Sequence, residues 1–171
     1  YWRMKKEKIL VTGGAGYIGS VASYLLLNKG YEVVVIDNFS TGYKGPLDFF
    51  EKNYSSKQFR YYDADLKKPL GDIFKKEKEI DAVLHYAAHC LVNESMENPQ
   101  KYFQNNVVGS HNLLTKIIEN GIKNIVFSST SEVYGETKYI PVDEIHPLNS
   151  GTPYGVSKRI VEMMIETYEK L

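Results

Sequence analysis

Short apolar runs alternate with longer amphipathic segments along most of this 171-residue chain. The apolar runs are rich in Val, Ile and Leu and show little alternation, which is typical of strands covered on both faces of a parallel sheet. They predict strands at 8–12, 32–37, 58–62, 82–87 and 124–129. The segments between them predict helices at about 17–29, 66–78 and 103–120, and from 153 onward. Because strands and helices alternate, we expect an α/β fold with a doubly wound parallel sheet.

The edges of the predicted helices are marked in two places by glycine. Gly30 and Gly121 each follow the last polar residue of a helical segment, where glycine supplies the left-handed conformation that ends a helix. From Val156 to Leu171 apolar residues recur at helical spacing, and the chain then stops without a cap or a following strand. We therefore expect the chain to be the N-terminal part of a longer protein.

Length, charge and cysteine content exclude several classes of protein. A chain of this size is expected to form one domain with a sizeable core. Its 21 basic and 21 acidic residues balance, which argues against nucleic acid or an anionic membrane held by bulk charge. No apolar stretch reaches the roughly 18 residues that span a bilayer. The single cysteine, Cys90, excludes an internal disulfide and a multi-cysteine metal site.

The start of the chain, YWRMKKEK, is basic but lacks the apolar core of a secretion signal. We therefore expect a cytoplasmic protein. Residues 1–3 are interpreted as an addition ahead of a natural start at Met4.

A glycine-rich turn, VTGGAGYIGS, joins the first predicted strand to the first predicted helix. It contains Gly14-x-Gly16-x-x-Gly19, and Gly13 precedes Gly16 and Gly19 at steps of three. In such a turn the first glycine permits a tight bend, and the second lets a pyrophosphate approach the backbone. The third lets the helix pack closely on the strand, with its N-terminus facing the phosphates. The pattern predicts a Rossmann-like dinucleotide site.

Acidic residues follow the second and third strands. Asp37, 18 residues after Gly19, is expected to accept hydrogen bonds from the adenosine ribose hydroxyls and to repel a 2′-phosphate. This favours NAD over NADP. In DAD, residues 63–65, an acidic side chain can meet the adenine amino group. His85 and His89 lie at the end of the fourth strand with no matching carboxylates, so we expect no metal site.

Candidate reactive groups lie at the carboxyl end of the fifth strand and at the start of the last helix. Ser128 to Ser131 all carry hydroxyls, and Tyr154-x-x-x-Lys158 places a phenol and an ammonium on one helix face. A phenol with a pKa near 10 is a poor base, and lowering this pKa to about 7 takes roughly 4 kcal/mol. Lys158 and the positive nicotinamide ring are expected to supply it, and Thr130 to hydrogen-bond the substrate oxygen. The pattern indicates a dehydrogenase-type site.

These stretches together resemble the extended short-chain dehydrogenase/reductase family over essentially the whole chain. Within it they are similar to the branch that inverts C4 of UDP-hexoses, above all in HYAAHCLVNESMENPQKYFQNNVVGS, with FSSTSEVYG and PYGVSK. The resemblance implies epimerisation through a transient 4-keto sugar, with NAD as cofactor, a UDP-sugar as substrate and a homodimer as the whole protein. It implies that Tyr154 is the base, Thr130 its hydroxyl partner, with both touching the substrate, and that Lys158 binds the nicotinamide ribose.

By position, the resemblance also implies a set of cofactor contacts. They are Gly13, Gly16, Tyr17, Ile18, Gly19, Asp37, Asn38, Phe39, Ser40, Thr41, Gly42, Asp65, Leu66, Tyr86, Ala87, Ala88, His89, Cys90, Asn105 and Lys158. Residues 1–171 are then expected to form the NAD-binding domain, with most of the substrate domain beyond them. The chain by itself is expected to be inactive.

Two departures from the branch keep other interpretations open. Cys90 stands where these enzymes often carry lysine, and Ser131–Glu132 where they usually carry small residues. TSEVYG is similar to UDP-glucuronate decarboxylases, which are the first alternative. Sugar-nucleotide 4,6-dehydratases carry Thr-Asp-Glu there, and the missing aspartate argues against them. A non-catalytic NAD-binding module is an alternative of another class, although every catalytic position is filled.

Overall fold

The structure, a computed structural model, describes residues 6–170. Its centre is a parallel sheet in the order β3-β2-β1-β4-β5. The strands are β1 (Lys8–Thr12), β2 (Glu32–Asp37), β3 (Phe59–Asp63), β4 (Ala82–His85) and β5 (Ile125–Phe127). The chain steps outward from β1 to β3 and returns to β4 on the other side of β1. The predicted doubly wound parallel sheet is therefore confirmed.

Helices connect the strands and follow the last one. They are α1 (Tyr17–Asn28), α2 (Gly45–Asn53), α3 (Gly71–Lys76), α4 (Val92–Glu97), α5 (Pro99–Tyr102), α6 (Gly109–Glu119) and α7 (Pro153–Glu169). A π-helix, Phe103–Val108, separates α5 from α6, and a 3₁₀ turn, Ser131–Val133, follows β5. None of the helices formed by residues 6–170 is long and apolar enough to cross a membrane.

The chain divides into two compact units. Among the described residues, unit 1 comprises 6–87 and 115–128 and holds the whole sheet. Unit 2 comprises 88–114 and 129–170 and holds α4, α5, the π-helix, the 3₁₀ turn and α7. The expectation of one NAD-binding domain over 1–171 stays a prediction. Residues 1–3, interpreted as an addition before Met4, lie outside the described residues.

The core of unit 1 forms around the two central strands. Val11 of β1 and Val35 of β2 are fully buried, and they pack with Leu27 of α1, Leu47 of α2 and Phe59 of β3. Each such side chain contributes about 1.5–3 kcal/mol by leaving water. This packing fixes the strands whose carboxyl ends carry the candidate cofactor residues.

Several predicted boundaries are wrong for local reasons. The predicted helix at 66–78 shrinks to α3, because Asp65 Oδ1 accepts from Lys67 N at 2.8 Å in a turn and Pro69 disfavours helical backbone before it. The predicted helix at 103–120 begins as the π-helix. The strands predicted at 82–87 and 124–129 end at His85 and Phe127.

Three helices have no counterpart in the sequence prediction. They are α2, α4 and α5, which have nine, six and four residues and therefore show too few turns for a clear period. In contrast, both glycine helix ends are confirmed, since Gly30 and Gly121 have φ of 89° and 65°.

Candidate functional site

In unit 1 the backbone of the glycine-rich turn lies directly against the backbone of the segment that follows β4 and against the start of α1. Gly13 has φ +73°, and a Cβ there would lie 2.6 Å from Ala87 N. A Cβ on Gly19 would lie 2.1 Å from Gly13 O, and one on Gly14 would lie 2.6 Å from the Val35 methyls. The third glycine therefore permits close helix packing, as predicted. The left-handed bend, however, lies at Gly13 and not at Gly14, where it was expected.

The first turn of α1 is open to an anion. Gly16 occupies the N-cap position without a side-chain cap, and no acidic residue lies in the first turn. Tyr17 is 88% exposed and Ile18 is also exposed, so both residues at the start of α1 face solvent. Because the first N–H groups of a helix lack internal partners and carry its positive dipole end, this turn suits a phosphate group.

Asp37 ties the end of β2 to the glycine turn. It is only 8% exposed, and its Oδ2 accepts from Ala15 N at 2.9 Å while Oδ1 accepts from Phe39 N at 2.8 Å. Each carboxylate oxygen has a second lone pair available for a ribose hydroxyl. Gly42 also packs directly against the glycine turn, because a Cβ there would lie 2.8 Å from Ala15 C. The structure thus brings the predicted segment 37–42 against the glycine turn.

Asp65 lies beside that segment. Burial opposes ionisation of its carboxyl, but the Lys67 backbone N–H and ammonium and the Asn38 side chain outweigh it, so the pKa of Asp65 is lowered. It is therefore a charged acceptor at neutral pH. Its neighbour Leu66 is buried. This placement agrees with an acidic group near the predicted adenosine end.

His85 and His89 both pack against aromatic rings. His85 is buried, its Nδ1 lies 2.6 Å from Thr12 Oγ1, and its ring packs 5.5 Å from that of Phe127. In unit 2, His89 packs 5.8 Å from the ring of Tyr102. Within residues 6–170 no three His, Cys, Asp or Glu side chains are grouped so that they could hold a metal.

The predicted catalytic residues all belong to unit 2, where α7 and the 3₁₀ turn bring them together. Thr152 Oγ1 caps α7 by accepting from Gly155 N at 3.1 Å, and Pro153 starts the helix. Tyr154 is 8% exposed in the first turn, and Lys158, one turn on, is 3% exposed. The Thr130 hydroxyl hydrogen-bonds Tyr154. The expected trio is therefore one cluster.

Burial controls how this cluster titrates. It raises the pKa of Tyr154, the Thr130 hydrogen bond lowers it, and electrostatic interactions with Cys90 and Glu132 raise it further. Burial also lowers the pKa of Lys158 to about 8, against the opposing influence of Cys90 and Glu162. In the protein without cofactor, the pKa of the Tyr154 phenol therefore lies above its ordinary value. The role of a base at neutral pH requires a pKa near 7, so bound groups must lower it.

Asn106 is a buried polar residue that the sequence analysis missed. It is 1% exposed within the π-helix, and its amide clamps the His89 backbone: Oδ1 accepts from His89 N at 2.9 Å and Nδ2 donates to His89 O at 3.0 Å. Nδ2 also donates to Ser157 Oγ at 3.0 Å, next to Lys158. The predicted contact Asn105 lies beside it, its Nδ2 donating to Asn106 Oδ1 at 3.1 Å. The sequence signal that could have revealed Asn106 is the pair of asparagines inside a predicted helix. In the structure this pair lies in the π-helix, and π-bulges often mark functional positions.

Tyr102 was also missed, and its ring packs against the phenol of Tyr154. Its fully buried ring meets that of Tyr154 edge-on at 6.2 Å. Its hydroxyl accepts from Leu91 N at 3.0 Å and lies within hydrogen-bond distance of Leu91 O and a Glu94 oxygen. It therefore fixes the backbone next to the exposed Cys90. A lone tyrosine among 14 gives no sequence signal of this.

Comparisons with known proteins agree with this geometry. A UDP-glucose 4-epimerase of Halalkalibacterium halodurans is 43% identical over 157 residues, which is 91% of this chain and 44% of that protein. The solved UDP-Glc/GlcNAc 4-epimerase of Campylobacter jejuni is 37% identical with a TM-score of 0.90, covering 96% of this chain and 49% of that one. The UDP-glucose 4-epimerase of Bifidobacterium longum, solved with NAD⁺ and UDP, is 34% identical with a TM-score of 0.88, covering 95% and 49%.

The chain thus spans about half the length of these relatives. The expected likeness to UDP-glucose 4-epimerases is confirmed. A family model described as GDP-mannose 4,6 dehydratase matches residues 10–171. The chain therefore belongs to the GDP-mannose 4,6 dehydratase family.

Proposed function

We propose that the protein containing this chain is an NAD-dependent 4-epimerase of UDP-hexoses, working through a transient 4-keto sugar. The observation that carries the proposal is the buried Tyr154, hydrogen-bonded to Thr130 and one helical turn from Lys158. Its similarity to UDP-glucose 4-epimerases supports the choice of reaction. We further propose that the whole protein is a homodimer, as the family resemblance implies, and that it is cytoplasmic.

The residues of unit 1 fit NAD. A side chain at Gly13, Gly14 or Gly19 would collide with neighbouring protein atoms, whereas a Cβ at Gly16 would meet only Gly13 O, at 3.3 Å. The pyrophosphate is therefore proposed to lie over Gly16 and the open start of α1. Asp37 would accept from the adenosine ribose hydroxyls and repel a 2′-phosphate. The NAD⁺ in the Bifidobacterium longum structure supports this choice.

When bound, NAD⁺ would supply reversible acceptance of the hydride from sugar C4. Tyr154 takes the proton from the C4 hydroxyl and returns it to the C4 oxygen when the 4-keto sugar is reduced to the opposite epimer. For this the phenol must ionise, although burial raises its pKa. Thr130 donates a hydrogen bond that favours the phenolate, and the ammonium of Lys158 and the positive ring supply the remaining stabilisation. Lys158 is also proposed to bind the nicotinamide ribose.

The proposal is tested by product analysis. The complete natural protein is given UDP-glucose and UDP-glucuronate in parallel, and the sugars are separated by chromatography. UDP-galactose is expected from the first, and Tyr154→Phe should reduce its formation by about 10² to 10⁴-fold because the base is lost. Tyr24→Phe, on the exposed side of α1, is the matched control.

A UDP-glucuronate decarboxylase is the second candidate, because the charge of Glu132 acts on Tyr154 and TSEVYG is similar to those enzymes. It would release CO₂ and form UDP-xylose. UDP-xylose from UDP-glucuronate, with no UDP-galactose from UDP-glucose, would overturn the epimerase proposal.

A further inference from the structure

We propose that Glu132 is a positioning residue that holds Tyr154 against Thr130 by anchoring the first turn of α7 through Thr152. This inference rests on the proposed function, in which Tyr154 is the base. It gives a role to the carboxylate that departs from the epimerase pattern, and in this role Glu132 does not touch the substrate.

A continuous hydrogen-bond path carries the proposal. Thr152 Oγ1 donates to Glu132 Oε2 at 3.2 Å and accepts from Gly155 N at 3.1 Å. A hydroxyl has one proton to donate and lone pairs to accept, so both bonds form at once. The carboxylate thereby fixes the rotamer in which Thr152 caps α7. Tyr154 lies in the sequence between the capping residue Thr152 and Gly155, whose backbone N–H donates to the Thr152 hydroxyl.

Close packing adds a second, independent contact between the same elements. A Cβ on Gly155 would lie 2.8 Å from Glu132 O and 2.9 Å from Glu132 Cβ. The 3₁₀ turn therefore presses directly on the first turn of α7, and only glycine fits there. At the N-cap of this turn, Thr130 Oγ1 accepts from Glu132 N at 3.3 Å and hydrogen-bonds Tyr154.

The N-cap of the 3₁₀ turn, Thr130, and its middle residue, Glu132, thus both contact the start of α7. If the bond from Thr152 to Glu132 is lost, the cap is free to rotate and the Thr130–Tyr154 distance is no longer fixed. A misplacement of about 1 Å in a reacting group can cost about 10²-fold in rate. The negative charge of Glu132 does not favour ionisation of Tyr154, whose pKa Cys90 also raises and whose ring meets that of Tyr102. Lys158 lies one helical turn further along α7. The hydrogen bond is therefore the contribution we assign to Glu132.

The test compares Glu132→Gln with Glu132→Ala in the complete natural protein. Glutamine keeps an oxygen that accepts from Thr152, so kcat should stay within about threefold of the natural enzyme. Alanine removes the acceptor, so kcat should fall by about 10- to 10²-fold with a smaller change in KM. Thr152→Val should resemble Glu132→Ala, and the double variant should be no worse than either single one.

The opposite results overturn the proposal. A loss in Glu132→Gln as large as in Glu132→Ala would indicate direct acid–base chemistry by the carboxylate. Effects of Glu132→Ala and Thr152→Val that multiply in the double variant would show that the two residues act separately.

Amide hydrogen exchange at the start of α7 separates this proposal from the proposed function, because it needs no turnover. Exchange of the Gly155 N–H should be faster in Glu132→Ala and should proceed at the rate of the natural protein in Glu132→Gln. Melting temperatures show whether both variants fold. Equal exchange in all three proteins refutes the anchor, whatever the reaction. Absence of UDP-hexose interconversion in the natural protein refutes the function alone.

Discussion

Replacing Gly19 by alanine tests the close approach on which the cofactor site depends. The new Cβ would lie 2.1 Å from Gly13 O, and contacts below 3.0 Å force a shift, so α1 must move by about 0.9 Å from the glycine turn. The neighbour is a backbone carbonyl and cannot rotate aside as a side chain would. The start of α1, which is proposed to face the pyrophosphate, is therefore displaced.

The magnitude follows from two opposing effects. Alanine normally gains about 0.5–1 kcal/mol over glycine inside a helix. Overpacking of a close-packed contact costs about 1–3 kcal/mol. We expect a net loss of about 1–2 kcal/mol in the free energy of unfolding, together with NAD binding that is weaker by about tenfold, or 1.4 kcal/mol.

Urea unfolding and titration calorimetry of the complete natural protein measure both quantities. Gly71→Ala is the matched control, because Gly71 begins α3 and a Cβ there meets nothing within 4 Å. It should stabilise slightly, by about 0.4–1 kcal/mol, and leave NAD binding unchanged. A Gly19→Ala protein as stable as the Gly71→Ala protein, with natural NAD affinity, would refute the packing argument.

Three further predictions concern charge. The natural protein should bind NAD more tightly than NADP because of Asp37, and calorimetry that finds equal or tighter NADP binding contradicts that role. Glu132→Gln should move the rising limb of the kcat–pH profile to lower pH, because removal of a negative charge lowers the pKa of Tyr154 and the phenolate forms at lower pH. A rising limb at the same pH in both proteins would count against an electrostatic effect of Glu132 on Tyr154. Glu77→Gln should cost about 1.5–3 kcal/mol of stability near pH 7, since nearly buried Glu77 binds Arg60 at 2.7 and 2.9 Å. The pKa of Glu77 is lowered because its hydrogen bonds and cationic neighbours outweigh burial. The stabilisation is therefore present above the ordinary carboxyl pKa and is lost on acidification. Urea titrations at pH 7 and pH 4 should show the free energies of unfolding of the two proteins converging at the lower pH.

The sequence by itself determined the features that depend on local pattern. Continuous apolar runs predicted the parallel strands, and Gly30 and Gly121 predicted two helix ends. The spacing of Tyr154 and Lys158 predicted that both lie on one face of a helix. Each of these features follows from backbone periodicity or from the conformational preference of one residue, so neighbouring positions are sufficient to reveal it.

The tertiary structure alone decided the contacts that connect distant segments. Asn106 reaches Ser157 across 51 residues, Glu132 reaches Thr152 across 20, and Asp37 holds Ala15 across 22. No local pattern encodes these pairs. The first two depend on how the 3₁₀ turn, the π-helix and α7 pack, and the third depends on how the end of β2 lies beside the glycine turn. The same packing buries Tyr154 and raises its pKa, which its sequence neighbours did not predict. Burial and hydrogen-bond partners are properties of the folded arrangement, and they set the chemistry of residues whose identity the sequence already shows.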